Sequence, residues 1–133
     1  MGEFRRVTED FWVSPQISVE DVAAARAQGF TQIINNRPDG ESPDQPASAQ
    51  IESVARAAGL DYLFAPVSGR PTAEAVTAVR AATQASSGKT LAYCRSGTRS
   101  IVTWALGQAR DRDREELIRL AADAGYDLRA VLA

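Results

Sequence analysis

The stretch Leu91-Ala92-Tyr93-Cys94-Arg95-Ser96-Gly97-Thr98-Arg99-Ser100 governs the reading of this chain. An apolar run ends at a cysteine, and just beyond it Ile101, Val102, Trp104, Ala105 and Leu106 fall at helical spacing. The pattern predicts a strand over residues 89–93, a tight loop, and a helix over about 99–108. A loop that curls into a helix N-terminus turns several backbone N–H groups inward and makes a cradle for an anion. A thiolate at its base is stabilised by those N–H groups and by the helix dipole. Gly97 permits the left-handed backbone such a loop needs. Arg95 and Arg99 add fixed positive charge, Arg99 as a two-pronged fork. The competing reading is an inert buried thiol, the usual fate of a single cysteine. The Arg-Ser-Gly-Thr-Arg-Ser that follows argues against it, because reactive thiols sit in electropositive turns of this kind.

The same grammar recurs on either side. Short apolar runs at 4–7 and 11–17 predict an opening strand pair. Ser18 and Asp21 form a capping-box-like start to a helix that Gly29 stops. Residues 31–35 read as a strand and 46–58 as a helix. Residues 61–66 read as a strand and 72–84 as a helix capped by Thr72. A last helix holds Leu117, Ile118, Leu120 and Ala121, with Asp113 as its N-cap. Repeats of strand and helix predict an α/β fold: one domain with a central, mostly parallel sheet flanked by helices. In such sheets ligands sit at the carboxyl ends of the strands. Loops 36–46, 66–71 and 94–99 are therefore expected to meet at one edge.

Composition narrows the chemistry. Of 133 residues, 15 are Lys or Arg and 17 Asp or Glu, a formal charge of −2, so no net field draws nucleic acid or an anionic membrane. At 44% hydrophobic and 24% charged the chain reads as a globular domain. No apolar run approaches a membrane span, and Met1 to Asp10 are too polar for a secretory signal. Arg6 stands where a myristoylation signal requires Ser or Thr. The chain has no histidine, which removes Cys–His and Ser–His–Asp nucleophiles and His-ligated metals. With one cysteine there is no intrachain disulfide and no thiolate zinc cluster; a reducing cytoplasm is the expected location. Neither a metal nor an organic cofactor is expected.

Two resemblances follow from the motifs. Cys94-Arg95-Ser96-Gly97-Thr98-Arg99-Ser100 is similar to the active-site loop of rhodanese-type sulfurtransferases, with four residues between Cys and Arg. The chain as a whole resembles the phosphatase-like domain of the beta-lactamase-hydrolase-like family, once called DUF442. The marks are Ile33-Ile34-Asn35-Asn36-Arg37-Pro38-Asp39-Gly40-Glu41, Gln45-Pro46, Gly59-Leu60-Asp61-Tyr62, Pro66-Val67 and the cysteine loop. The resemblance implies a dual-specificity-phosphatase-like fold, with Arg37 and Asp39 helping to shape the pocket. It also implies a link to persulfide dioxygenases, to which some such domains are fused, and so a candidate partner in trans. On loop chemistry alone, Arg37 and Asp39 equally fit an ion pair that steadies a Pro-Asp-Gly turn.

The two resemblances imply different reactions at one nucleophile. Phosphatase loops carry one residue more between Cys and Arg, and a general acid on the loop after a strand like 62–66. Val67-Ser68-Gly69-Arg70 holds no carboxylate, and Tyr93 stands where phosphatases often carry histidine. These departures favour a sulfurtransferase. Cys94 would carry a persulfide from thiosulfate or a small persulfide to a thiol or cyanide. Arg95, Ser96, Gly97, Thr98 and Ser100 would cradle the anion, and Arg99 would neutralise it. The alternative is a phosphatase working through phosphocysteine at Cys94, and a third reading is a redox-sensing or anion-binding module. Asp111-Arg112-Asp113-Arg114-Glu115-Glu116 reads as a solvated helix start, Arg70 as a solvated surface charge, and Trp12 and Trp104 as core or rim.

Overall fold

A computed structural model describes residues 3–132. Its centre is β5 (Lys89–Tyr93), flanked in parallel by β2 (Phe11–Ser14) and β3 (Phe30–Asn35). Outside β3 runs β4 (Asp61–Phe64), also parallel, and outside β2 the two-residue β1 (Arg5–Arg6) pairs antiparallel. The order is β1-β2-β5-β3-β4, so the sheet is mostly parallel, as the sequence pattern predicts. The helices are α1 (Val19–Ala27), α2 (Ser48–Ala57), α3 (Ala73–Ala85), α4 (Thr98–Gln108) and α5 (Arg114–Asp123).

Alternation along the strands builds two cores. Ile33, Leu91 and Tyr93 pack with Val22 and Ala25 of α1 and Ile51 and Ala55 of α2. Their neighbours Ile34 and Ala92 point to the other face, against Ile101, Trp104 and Ala105 of α4 and Leu117 of α5. Trp104 stacks on Phe11 with ring centroids 4.9 Å apart, while Trp12 meets Phe30 edge-on at the rim. Both tryptophans are structural. None of the helices among the described residues is long and apolar enough to cross a membrane.

Helix starts differ in a way that matters for the site. The Ser18 side chain accepts from the Asp21 N–H while the Asp21 carboxylate accepts from the Ser18 N–H, a complete capping box on α1. Thr72 caps α3 through the Ala75 N–H. Asp113 holds the N-cap position of α5 without a side-chain bond, short of its expected role. At α4 the N-cap is Gly97, left-handed at φ 94°, with no side chain to offer. The Thr98 N–H bonds Ser96 Oγ at 3.4 Å, and the N–H groups of the turn that follow it have no N-cap side chain to meet. Ser18→Ala should lower stability by about 1 kcal/mol, read as a lower urea midpoint at unchanged slope, while the Cys94 chemistry stays as it was.

Candidate active site

Cys94 follows directly on β5 and is 1% exposed, at the floor of the loop. The Gly97 N–H reaches back to its Sγ at 3.1 Å. The turn between them is held from outside: the Gln16 N–H bonds the Arg95 carbonyl at 3.3 Å, and Tyr126 Oη donates to the Ser96 carbonyl at 2.8 Å. With the Ser96 carbonyl drawn outward, the Gly97 N–H of the same peptide turns toward the thiol. Gly97 is obligatory on two counts. Its φ is positive, and a Cβ there would stand 2.2 Å from the Tyr126 hydroxyl.

Arg99, in the first turn of α4, lies beside the thiol. Its Nη1 donates to Glu41 Oε2 at 2.7 Å and to the Val67 carbonyl at 2.7 Å, and its Nη2 to Glu41 Oε1 at 2.8 Å. Glu41 also accepts from Arg37 Nε at 2.9 Å, and Arg37 Nη1 reaches Gln16 Oε1 at 3.1 Å. One carboxylate therefore ties loop 36–47 to the first turn of α4 and, through Arg99, to loop 65–72, and through Arg37 and Gln16 to the segment after β2. The Arg99 guanidinium holds the Glu41 carboxyl well below its usual 4.5, at about 2, against a contrary push from burial and with help from Arg37. In return Glu41 lifts the Arg99 guanidinium above its ordinary value, with the neighbouring thiol adding to the effect.

The residues expected at the site are dispersed in role. Cys94, Gly97 and Arg99 meet, and loops 36–46, 66–71 and 94–99 converge as expected. Arg95 is exposed and lines a cavity of about 310 Å³ with Gln16, Arg37, Ser42, Asp44 and Gln45. Ser96 and Thr98 are exposed and bond each other, Oγ to Oγ1, at 3.1 Å. Ser100 is fully buried in the first turn of α4, and its hydroxyl has no hydrogen-bond partner. Arg37 is buried and pairs with Glu41, not Asp39. Asp39 Oδ1 accepts from the Ser48 N–H at 2.7 Å and so caps α2 from a distance. The proposed Arg37–Asp39 pair is replaced by these two separate contacts. Loop 67–70 offers no carboxylate, and Arg70 is exposed there. Among the described residues no cluster of His, Cys, Asp and Glu could hold a metal.

Two participants escape the sequence reading. Glu41 stands in the quoted motif without a role; its spacing of four from Arg37 was its only local signal. Tyr126 carries none, since its contact with the loop spans thirty positions of chain.

A buried thiol at the floor of a loop between a parallel strand and a helix N-terminus marks a cysteine domain of the kind that both resemblances imply. The model of the phosphatase-like domain of beta-lactamase hydrolase-like proteins matches residues 3–111, and the chain belongs to that family. A beta-lactamase hydrolase-like protein of Agrobacterium fabrum is 39% identical over 126 residues, covering 92% of this chain and 29% of that protein. The chain thus spans less than a third of the curated relatives it matches. The crystal structure of a Neisseria meningitidis protein, described as a candidate phosphatase, is 31% identical. It superposes with a TM-score of 0.84, covering 96% of this chain and 92% of its own. Kinase-associated phosphatase, with its catalytic-site cysteine replaced by serine, shares the fold at 14% identity and TM-score 0.71. That match covers all of this chain (100%) and 85% of the phosphatase. The dual-specificity-phosphatase-like fold expected from the sequence is the fold observed.

The Glu41 clasp has a pH signature. A carboxyl with a folded value below its unfolded one adds stability that is complete above the unfolded value and is lost as pH falls through the folded one. Glu41 should therefore stabilise the fold fully above about pH 4.5, with the contribution fading toward about pH 2. In Glu41→Gln the melting temperature should be lower at neutral pH and should converge on that of the parent toward pH 2. Parallel melting curves across that window would show that the clasp contributes nothing.

Proposed function

We propose that the chain is a cysteine-dependent phosphatase acting through a phosphocysteine at Cys94. The observation that supports this most is the paired geometry of the nucleophile and its counter-charge. Sγ receives the Gly97 N–H while Arg99 is locked alongside by Glu41 and the Val67 carbonyl. The family and the phosphatase-like neighbours support the same reading. The sulfurtransferase favoured by loop length has no such support among the relatives.

In the proposed reaction the thiolate attacks phosphorus in line with the ester oxygen. The S–P bond forms as the P–O bond breaks, and the departing oxygen takes its proton from water. A second water then attacks phosphorus, the S–P bond breaks, and inorganic phosphate leaves with the thiolate restored. The N–H groups of the loop face the phosphoryl oxygens, and Arg99, whose terminal nitrogens are engaged by Glu41 and the Val67 carbonyl, adds its charge and its remaining Nε–H and Nη2–H. The carboxyl groups described near the thiol are each engaged elsewhere. Loop 67–70 has none, Glu41 is held ionised by Arg99, Asp39 is engaged at the start of α2, and Asp44, on the Arg95 cavity, accepts from the Ser42 hydroxyl at 2.9 Å. Positioned acids contribute about 10² to 10⁴ in rate, so leaving groups that depart readily as anions should dominate the substrate range.

The test is release of phosphate from para-nitrophenyl phosphate and from a simple alkyl phosphate. The aryl ester should be turned over faster by about 100-fold or more, and Cys94→Ser should abolish both activities. Arg99→Ala should chiefly raise KM. Comparable rates on the two esters would mean that an acid is present after all. A persistent rate in Cys94→Ser would overturn the reading.

The acid-free loop also favours a second reading, sulfur transfer from thiosulfate or a small persulfide to a thiol, which needs no acid. Its mark is a Cys94 adduct heavier by one sulfur, about 32 Da, on the persulfide step of cysteine oxidation chemistry, removable by cyanide. That adduct in the absence of phosphate release would transfer the assignment.

A further inference from the structure

Tyr126 lies beyond α5, outside residues 3–111 that the family model matches, yet it touches the cysteine loop. Its hydroxyl donates to the Ser96 carbonyl at 2.8 Å, and the N–H of the next residue, Gly97, donates to Cys94 Sγ at 3.1 Å. These two groups belong to one peptide unit. That unit is trans, so its C=O and N–H point in opposite directions from a rigid plane. A single plate therefore runs from the phenol to the sulfur. A hydrogen bond to its carbonyl fixes its tilt and polarises its N–H into a better donor.

The phenol is held for this task. Tyr126 is 8% exposed, its own N–H bonds the Ala121 carbonyl at 2.8 Å, and the Arg5 guanidinium lies 5.3 Å from its ring centroid. Burial raises the Tyr126 hydroxyl above its ordinary 10; Arg5 opposes this, and the nearby thiol and Glu3 add to it. It thus keeps its proton, and stays the donor to the Ser96 carbonyl, at neutral pH. The charged groups around the pair are Arg5 and Glu3 on the phenol side, with Arg99 and, behind it, Glu41 on the thiol side.

We propose that Tyr126 is a positioning residue that sets the readiness of Cys94 to ionise, acting through the Ser96–Gly97 peptide. The proposal rests on Cys94 as the nucleophile and is indifferent to whether phosphorus or sulfur is attacked. The measurement is the ultraviolet absorbance of the thiolate across pH, taken as the difference between each chain and the same chain carrying Cys94→Ser. In Tyr126→Phe the curve should move to higher pH. On its rising limb the thiolate population should fall about two- to tenfold, the range of one neutral hydrogen bond. Leu128→Ala, which empties a buried position two residues on and keeps the phenol, separates positioning from general loosening of this segment. An unmoved curve in Tyr126→Phe overturns the proposal, and so does an equal displacement in Leu128→Ala. Failure of the parent chain to release phosphate would leave the absorbance comparison intact, so the two readings fail separately.

Discussion

The carboxylate of Glu41 is the contact on which the site depends. A parallel sheet delivers its loops to one edge and backbone bonds tie their bases there, the Asn36 N–H to the Tyr93 carbonyl and the Val67 N–H to the Asn36 carbonyl, but the charged side chains beyond need a contact of their own. Arg99 and Arg37 carry like charge and approach the same space, with side chains that are 21% and 5% exposed. Without an anion between them their approach would be repulsive in a region where water screens poorly. Glu41 resolves this by bidentate pairing with Arg99 and a further bond to Arg37. Its own position is set within its loop, where its N–H bonds Gln45 Oε1 and Gln45 Nε2 bonds the Pro38 carbonyl. The turn is thus a prefabricated unit that presents one carboxylate.

Beneath that unit runs a buried polar lattice. Tyr62 Oη exchanges a 2.8 Å hydrogen bond with Ser48 Oγ and accepts from Asn35 Nδ2, while Asn35 Oδ1 accepts from the Arg37 N–H. Asn36 adds its Nδ2 bond to the Ala65 carbonyl. Each asparagine lets β3 end while its loop stays tied to β4 and α2. Tyr93, just before the nucleophile, sits in this region with its hydroxyl raised above its ordinary value, first by burial and then by Tyr62. It is therefore a neutral packing group where phosphatases often place a histidine. The charge that faces the thiol comes from α4 and Arg99 instead.

Much of this was legible in the sequence because it is local. The strand read at 31–35, the Ser18–Asp21 box, and the glycine between cysteine and helix are patterns a few residues long. Their physics needs no knowledge of the rest of the chain. Glu41 and Arg99 lie 58 positions apart, and Tyr126 and Ser96 lie 30 apart. No periodicity encodes such pairs; they exist only once the sheet has brought separate loops to one edge. Asp39 was misleading for a related reason. An Asp before Gly reads as a turn former or a charge for the pocket, whereas its partner is the N–H of Ser48, nine residues on.

The long-range contacts divide the labour in a way that bears on how one thiol could serve two chemistries. The cradle and its supports act on Sγ: Gly97 from inside, Tyr126 through the peptide, and Gln16 at the Arg95 carbonyl. Nothing on that side depends on the group being transferred. The chemistry is decided across the cavity, by whether a proton donor meets the leaving group, and there the loop after β4 offers only Val67, Ser68, Gly69 and Arg70. The Val67 carbonyl is already bound to Arg99, so this loop serves to hold the fork. A site built this way concentrates its stabilisation on the nucleophile and on the anion it attacks. On the proposed reaction it would leave the departing group to its own acidity, which would then be the main source of selectivity.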